Sequence, residues 1–285
     1  MSVKTDIQWA DSTVNGQMGC DGCELWTPKV RACYAGTLTG RYAGQKGWPK
    51  AFDKPDIFPG RIQQACSWTD LAGQERPDKP WLGRLPRMIF LDDMGDTFTE
   101  SLDRDWLLPD IPRMASSPHL WLFLTKRARR MGAFFERLGY VPESFWLGTS
   151  VTGPETMARA RELAKVQGAF TWLSLEPLLE PVDISSLLRG PGKPRWLVIG
   201  GESGPSARPF SLDWARTLLA LGQQAGVPVF IKQLGAVWAA QAGGDDKGGD
   251  WSLWPADLRV REVPTWGFSP RPPASEMAFQ QLELV

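Results

Sequence analysis

The chain has 285 residues, 42% hydrophobic and 22% charged, with 32 basic residues balancing 32 acidic ones. That length and apolar content suit one large globular domain, or at most two. The zero net charge excludes a global positive field that would draw nucleic acid, so such binding needs a local patch. No apolar run approaches a membrane span and the N-terminus lacks an apolar signal core, so a soluble, cytoplasmic protein is expected.

Residues 1–19 read as irregular, with a short extended piece at Ile7-Gln8-Trp9. Three of the four cysteines follow, Cys20, Cys23 and Cys33, in the spacing C-x2-C-x9-C. Gly19 and Gly22 keep the backbone between the thiols free of Cβ crowding. Clustered thiolates in a reducing compartment suit a soft metal, either zinc or the iron of an iron–sulfur cluster, better than a disulfide. Three are one short of a closed structural zinc site. On a four-iron cluster they would leave one iron free. The three are expected to meet at one site, with Cys66 outside it.

A helix is expected over 34–47. Residues 48–86 read as a loop-heavy excursion with a short helix near 60–66. A regular alternation then begins. Apolar runs at 88–91, 120–124, 145–148, 170–173, 196–199 and 227–231 alternate with helical patterns at 103–115, 127–138, 154–167 and 211–225. Pro154 and Glu155 suit a first helical turn, and Ser211 with Asp213 an N-terminal cap. Continuous apolar strands between helices indicate a parallel sheet buried on both faces. Six such units predict an α/β fold, a full or partial parallel (β/α)6-type barrel over residues 1–240, with a doubly wound sheet as competitor. Residues 241–285 read as a flexible polar loop at 243–249 and a Pro- and Trp-rich appendage.

Parallel β/α folds gather chemistry at the carboxyl ends of strands. Those ends read Asp92, Asp93 and Asp96, then Lys126 and Arg127, Ser150, Glu176, Glu202, and Lys232. The aspartates could equally cap helices, and Lys126 with Arg127 could open a solvated helix face. Lys232, directly after a buried strand, is either paired with Glu176 or Glu202 or faces a ligand. His119, the single histidine, reads as structural, which excludes a Ser-His-Asp triad and a His-rich zinc site. No P-loop or G-x-G-x-x-G pattern follows a strand.

Taken together, these segments resemble a family of phage and bacterial proteins of unknown function marked by a three-cysteine motif, itself similar to the radical S-adenosylmethionine (radical SAM) superfamily. The match runs through Ile7-Gln8-Trp9, Gly19 to Ala35, Leu91 to Phe98, Leu124 to Arg127, Leu147 to Val151, Ser174 to Leu179, Gly200 to Pro205 with Ala207-Arg208-Pro209, and Lys232 to Gly235. The usual radical SAM spacing is C-x3-C-x2-C, with an aromatic before the last cysteine; here Tyr34 follows it. The resemblance implies a [4Fe–4S] cluster on Cys20, Cys23 and Cys33, with S-adenosylmethionine on the free iron. Reductive cleavage would give a 5′-deoxyadenosyl radical, used for modification or repair of DNA or another nucleic acid. It also implies an electron donor and a partner protein, in the host cytoplasm if phage-encoded. Asp92, Asp93, Asp96 and Glu202 could accept the ligand's ammonium, and Lys126, Arg127 or Lys232 its carboxylate. The run Lys126 to Arg130 could bind phosphate. Two other readings stand: a zinc-stabilised binding protein with Cys66 as fourth ligand, and a hydrolase using the strand-end carboxylates with magnesium.

Overall fold

A computed structural model of the chain describes residues 2–265. The six expected apolar runs all form strands, because each is apolar on both faces and can be buried on both. They are β4 (Met88–Leu91), β5 (Leu120–Thr125), β6 (Phe145–Ser150), β7 (Phe170–Leu175), β8 (Leu197–Gly200) and β9 (Val229–Gln233). A seventh was missed: β1 (Ser12–Val14) lies in the stretch read as irregular and pairs parallel with β4. The sheet order is β1-β4-β5-β6-β7-β8-β9, every neighbour parallel. Strand order never reverses, so the doubly wound alternative is excluded. The sheet curls into a half-barrel.

Helices α3 (Ile111–Ser116), α4 (Ala128–Leu138), α5 (Met157–Leu163) and α6 (Leu212–Gln224) cover one face. Their Met114, Met131, Leu163 and Leu218 pack with Ile89, Phe123, Leu147, Leu173, Ile199 and Ile231. Ser211 caps α6, accepting from the Asp213 N–H at 3.3 Å, as the sequence indicates. The expected helix over 103–115 shrinks to α3, because Pro109 and Pro112 confine the chain before it to turns and a 3-10 segment. Helix α1 (Tyr34–Tyr42) stops five residues short of its expected end. The short pair β2 (Gln17–Met18) and β3 (Asp56–Ile57) and helix α2 (Arg61–Cys66) lie in the excursion between β1 and β4.

Alternation along each strand sends the other residues inward. Trp146, Trp172 and Trp196, with Phe90, Leu122, Val198 and Phe230, form a second core that Trp9 and Leu82 complete. Continuing two residues at a time along this face leads from apolar to polar positions: Asp92 after Phe90, Ser150 after Gly148, Glu176 after Ser174, Lys232 after Phe230. The half-barrel is therefore aromatic at its amino-terminal end and polar at its carboxyl-terminal mouth.

Both sheet edges carry antiparallel straps. Ser2 bridges Thr13 of β1, with both backbone hydrogen bonds at 2.9 Å. Beyond β9, helix α7 (Ala236–Ala242) and a turn held by Asp245 lead to Arg261, which bridges Phe230. Trp254 and Leu258 of this segment are buried in the helical-side core. The expected appendage beyond residue 265 lies outside the described residues.

His119 is buried at the start of β5, 1% exposed, and burial together with Arg87 pushes it down to about 4. Its folded value lies below the unfolded one, so the unfolded chain takes up a proton that the folded chain refuses. Stability should fall as pH drops from about 6.5 to about 4, by about 3 kcal/mol from this residue. Urea unfolding of the wild type and His119→Leu at about pH 7 and about pH 4.5 measures it. The variant should lose less stability across the interval, and parallel losses would remove the assignment.

Candidate functional site

The cysteine excursion leaves the carboxyl end of β1, so connectivity alone brings it to the mouth. Several hydrogen bonds then pin it. Gly19 N–H donates to Met94 O at 3.0 Å and Cys20 N–H to Phe52 O at 2.7 Å. Asp21 accepts from Thr99 Oγ1 and from the N–H groups of Glu100 and Ser101. Burial alone would raise the Asp21 carboxyl, but the donors from Ser101 and Thr99 hold it at about 2. Glu24 forms a forked ion pair with Arg159 of α5, at 2.6 and 3.0 Å, and accepts from Thr152 at 3.0 Å. Arg159 more than offsets the burial of Glu24, leaving its carboxyl at about 2. Between the first two thiols, Gly22 has φ +92°, and a Cβ there would lie 2.5 Å from the Trp26 carbonyl oxygen. Glycine is required for the turn that closes Cys23 against Trp26.

The loop and the strand ends enclose a cavity of about 110 Å³. Cys20, Cys23 and Cys33 line it, and so do Asp92, Asp93, Asp96, Lys126, Arg127 and Ser150. Arg127 joins the two walls: its guanidinium donates to Asp96 Oδ2 at 3.0 Å, Cys20 Sγ at 3.4 Å and Gly22 O at 3.0 Å. Asp96 also accepts from Thr125 Oγ1 at 2.6 Å and from the N–H of Lys126 at 3.1 Å. Asp92, with φ +61°, is strained for a non-glycine residue. Its buried carboxylate accepts from Gln17 N–H at 3.0 Å and Thr97 Oγ1 at 2.8 Å, yet burial raises it to about 7. Burial also raises Asp93, whose Oδ1 accepts from Asn15 at 2.7 Å. Among the described residues the half-buried Lys126 ammonium pairs with no carboxylate.

Each of the three sulfurs faces backbone N–H groups. Gly22 serves Cys20, Leu25 serves Cys23 at 3.4 Å, and Gly36 and Ala35, in the first turn of α1, serve Cys33. As free thiols, Cys20 is pushed up to about 11 by burial and Asp96 against the pull of Arg127, and Cys33 is raised by burial. Among the described residues no three His, Cys, Asp or Glu side chains are arranged around a single ion position. Cys66 ends α2, packs against the helical-side core and does not line the cavity.

Three strand-end residues expected at this mouth do not line the cavity. Glu176 and Lys232 pair with each other at 2.5 Å. Glu176 follows β7 and Lys232 lies on β9, with β8 between them, and Gly200 of β8 permits the reach: a Cβ there would crowd Glu176 at 3.2 Å. Glu202, 4% exposed, is held by Arg208 through its backbone N–H, Nε and Nη2 at 2.7 to 2.8 Å. Tyr34 lines the cavity, donates to the Asp93 carbonyl oxygen and lies close enough to feel the charge of Glu176. Two of the four cations in the run Lys126 to Arg130 are engaged: Arg127 is bound as above and Arg130 donates to the carbonyls of Glu100 and Leu102. Sequence reasoning missed Arg159 and Glu24. The signal was a charged residue inside the cysteine motif, which needs a partner once the loop is folded down.

No helix among the described residues is long and apolar enough to cross a membrane. No curated protein and no solved structure matches the chain. One family profile does, over residues 4–262, which takes in β1 to β9, the cysteine excursion and the strap on β9. The chain therefore belongs to DUF5131, a family of proteins of unknown function.

Proposed function

We propose that the cavity holds a [4Fe–4S] cluster on Cys20, Cys23 and Cys33, and that its strand-end wall binds S-adenosylmethionine in a radical SAM-like enzyme. The supporting observation is that three cysteines of one excursion line the same cavity as a half-buried aspartate and a lysine that forms no ion pair among the described residues. A four-iron cluster takes its three thiolates on three different irons, so the sulfurs need to surround a space rather than meet at a point. The N–H groups facing each sulfur favour the thiolate and suit cluster ligands. Zinc would need the sulfurs at one point and a fourth ligand, which Cys66 on α2 does not supply. A magnesium hydrolase would be left with Asp92 and Asp93 at this cavity, since Asp96, Glu176 and Glu202 are ion-paired, and burial pushes the Asp92 and Asp93 carboxyls toward the neutral form.

Lys126 is the cation left to receive the ligand's carboxylate, and Asp93 the acceptor for its ammonium. Asp96 and Arg127 fix the cysteine loop over the strand ends. Trp26, Phe52 and Phe90 exclude water from the cavity wall. Held by Cys20, Cys23 and Cys33, a cluster would supply one-electron reduction of the sulfonium from an external donor, the chemistry that would cleave its C–S bond to methionine and a 5′-deoxyadenosyl radical. Modification or repair of a nucleic acid is the reaction proposed for that radical, with a partner protein in attendance. A reducing cytoplasm would preserve the thiolates.

Anaerobic purification with iron and sulfide tests the reading. The protein should be brown, carry about four irons and about four sulfides, and form 5′-deoxyadenosine on reduction with S-adenosylmethionine. Alanine at Cys20, Cys23 or Cys33 should abolish the colour, and Cys66→Ala should keep it. A colourless protein containing zinc, or colour that depends on Cys66, would overturn the proposal.

A further inference from the structure

One stretch of the excursion that lines the cavity is strongly basic. Residues 27–54, which carry Cys33, Tyr34 and Phe52, hold Lys29, Arg31, Arg41, Lys46, Lys50 and Lys54 against one acid, Asp53. All six cations are exposed. Among the described residues none of them takes part in an ion pair. The remainder of this balanced chain is correspondingly acidic. Exposed cations concentrated on one excursion of a neutral protein supply the local positive charge that the overall charge lacks.

Geometry ties these cations to the cavity. The Arg31 guanidinium stacks 4.4 Å from the centroid of Trp26, which lines the cavity. Tyr34, half exposed on the cavity wall, and Arg41 are seven residues apart on α1 and so share one helix face. Lys50 and Lys54 flank Phe52, another wall residue. Tyr42 and Trp48 pack with centroids 4.9 Å apart. Cations interleaved with aromatic rings fit a phosphate backbone whose bases can stack, whereas an acidic protein would gain nothing from the rings.

We infer that residues 27–54 form a nucleic-acid docking face that delivers a strand to the cavity mouth. This inference deepens the reading under Proposed function, by giving the substrate its binding surface. The phosphates lie along the cations of α1 and the loop after it, and a base at the mouth stacks on Tyr34.

The test is fluorescence polarisation with labelled single-stranded DNA, duplex DNA and single-stranded RNA across a salt series. It is run on the full chain with and without reconstituted iron. Binding to at least one of them should weaken with salt, and the arm that binds tightest names the nucleic acid. The variant Lys46→Glu, Lys50→Glu, Lys54→Glu should lose at least about 10-fold in affinity and about 2 to 3 units of log–log salt slope. A control at exposed cations elsewhere, Arg84→Glu, Lys165→Glu, Arg189→Glu, should bind within about 2-fold of wild type. Unchanged melting curves keep the comparison one of binding. No binding to any oligonucleotide, equal loss in both variants, or equally tight binding of poly-glutamate would overturn the inference. Cluster loading is scored separately, so failure to take up iron would sink the cofactor reading while leaving oligonucleotide binding measurable.

Discussion

Replacing Arg127 with alanine is expected to destabilise the protein by about 3–4 kcal/mol and to release the cysteine loop. The guanidinium is the shared partner of Asp96, Cys20 and Gly22. Without it, a carboxylate only 5% exposed is left without its counter-ion. Uncompensated buried charge is the costly case, and the N–H and hydroxyl groups still bonded to Asp96 keep the loss toward the lower end. In a chain of this size the melting temperature should drop by about 6–12 °C. Arg127→Lys should recover little, since an ammonium is a point charge and cannot span three acceptors in a planar fork. The double variant Asp96→Asn, Arg127→Met should recover part of the loss by removing the stranded charge. Thermal melts of the four proteins decide the matter. An Arg127→Ala melting temperature close to that of the wild type would show that the walls are joined by something else.

The second large effect is expected at Trp172. It is wholly buried on the inner face, edge-on to Trp9 at 5.2 Å and 5.4 Å from Trp196, and its Nε1 donates to Trp146 O at 3.2 Å. Truncation to alanine removes the ring on which the other tryptophans rest and leaves a void that the surrounding rings cannot fill without leaving their rotamers. The cost is about 3–5 kcal/mol. Trp172→Phe should cost well under half as much, losing one hydrogen bond and part of the contact area. Urea midpoints give the free energies, and near-ultraviolet circular dichroism reports whether the inner aromatic packing has loosened. Equal losses for alanine and phenylalanine would mean that the hydrogen bond, rather than ring packing, dominates.

Much of the architecture was legible because a parallel sheet covered on both faces writes itself as short continuous apolar runs. Strand β1 was not legible: Ser12, Thr13 and Val14 are three residues with two hydroxyls, and their strand state depends on pairing with β4. That omission had a consequence for the site, since the cysteine excursion is itself a strand-end loop and needs no separate device to reach the mouth. The strand-end rule identified residues that carry charge near the mouth but not their partners. Asp92, Asp93, Asp96, Lys126 and Ser150 face the cavity. Glu176 and Lys232 satisfy one another across Gly200, a pairing decided by β7, β8 and β9 lying side by side. Glu202 is captured by Arg208, six residues on, in a turn that no periodicity announces.

The straps on the two sheet edges bear on how such a chain survives at high concentration. An open curled sheet has two rows of unpaired backbone groups that could recruit a second copy. A protein without net charge has little long-range repulsion to keep copies apart. Here Ser2 occupies β1, while Val260 O and Glu262 N–H occupy Ile231 and Val229 of β9. Arg261 is fastened among Trp81, Trp251, Phe230 and Trp254 at 4.3 to 5.6 Å. Colloidal stability in this fold thus depends on a few backbone hydrogen bonds at either end of the sheet, one set of them locked by an arginine in a box of rings.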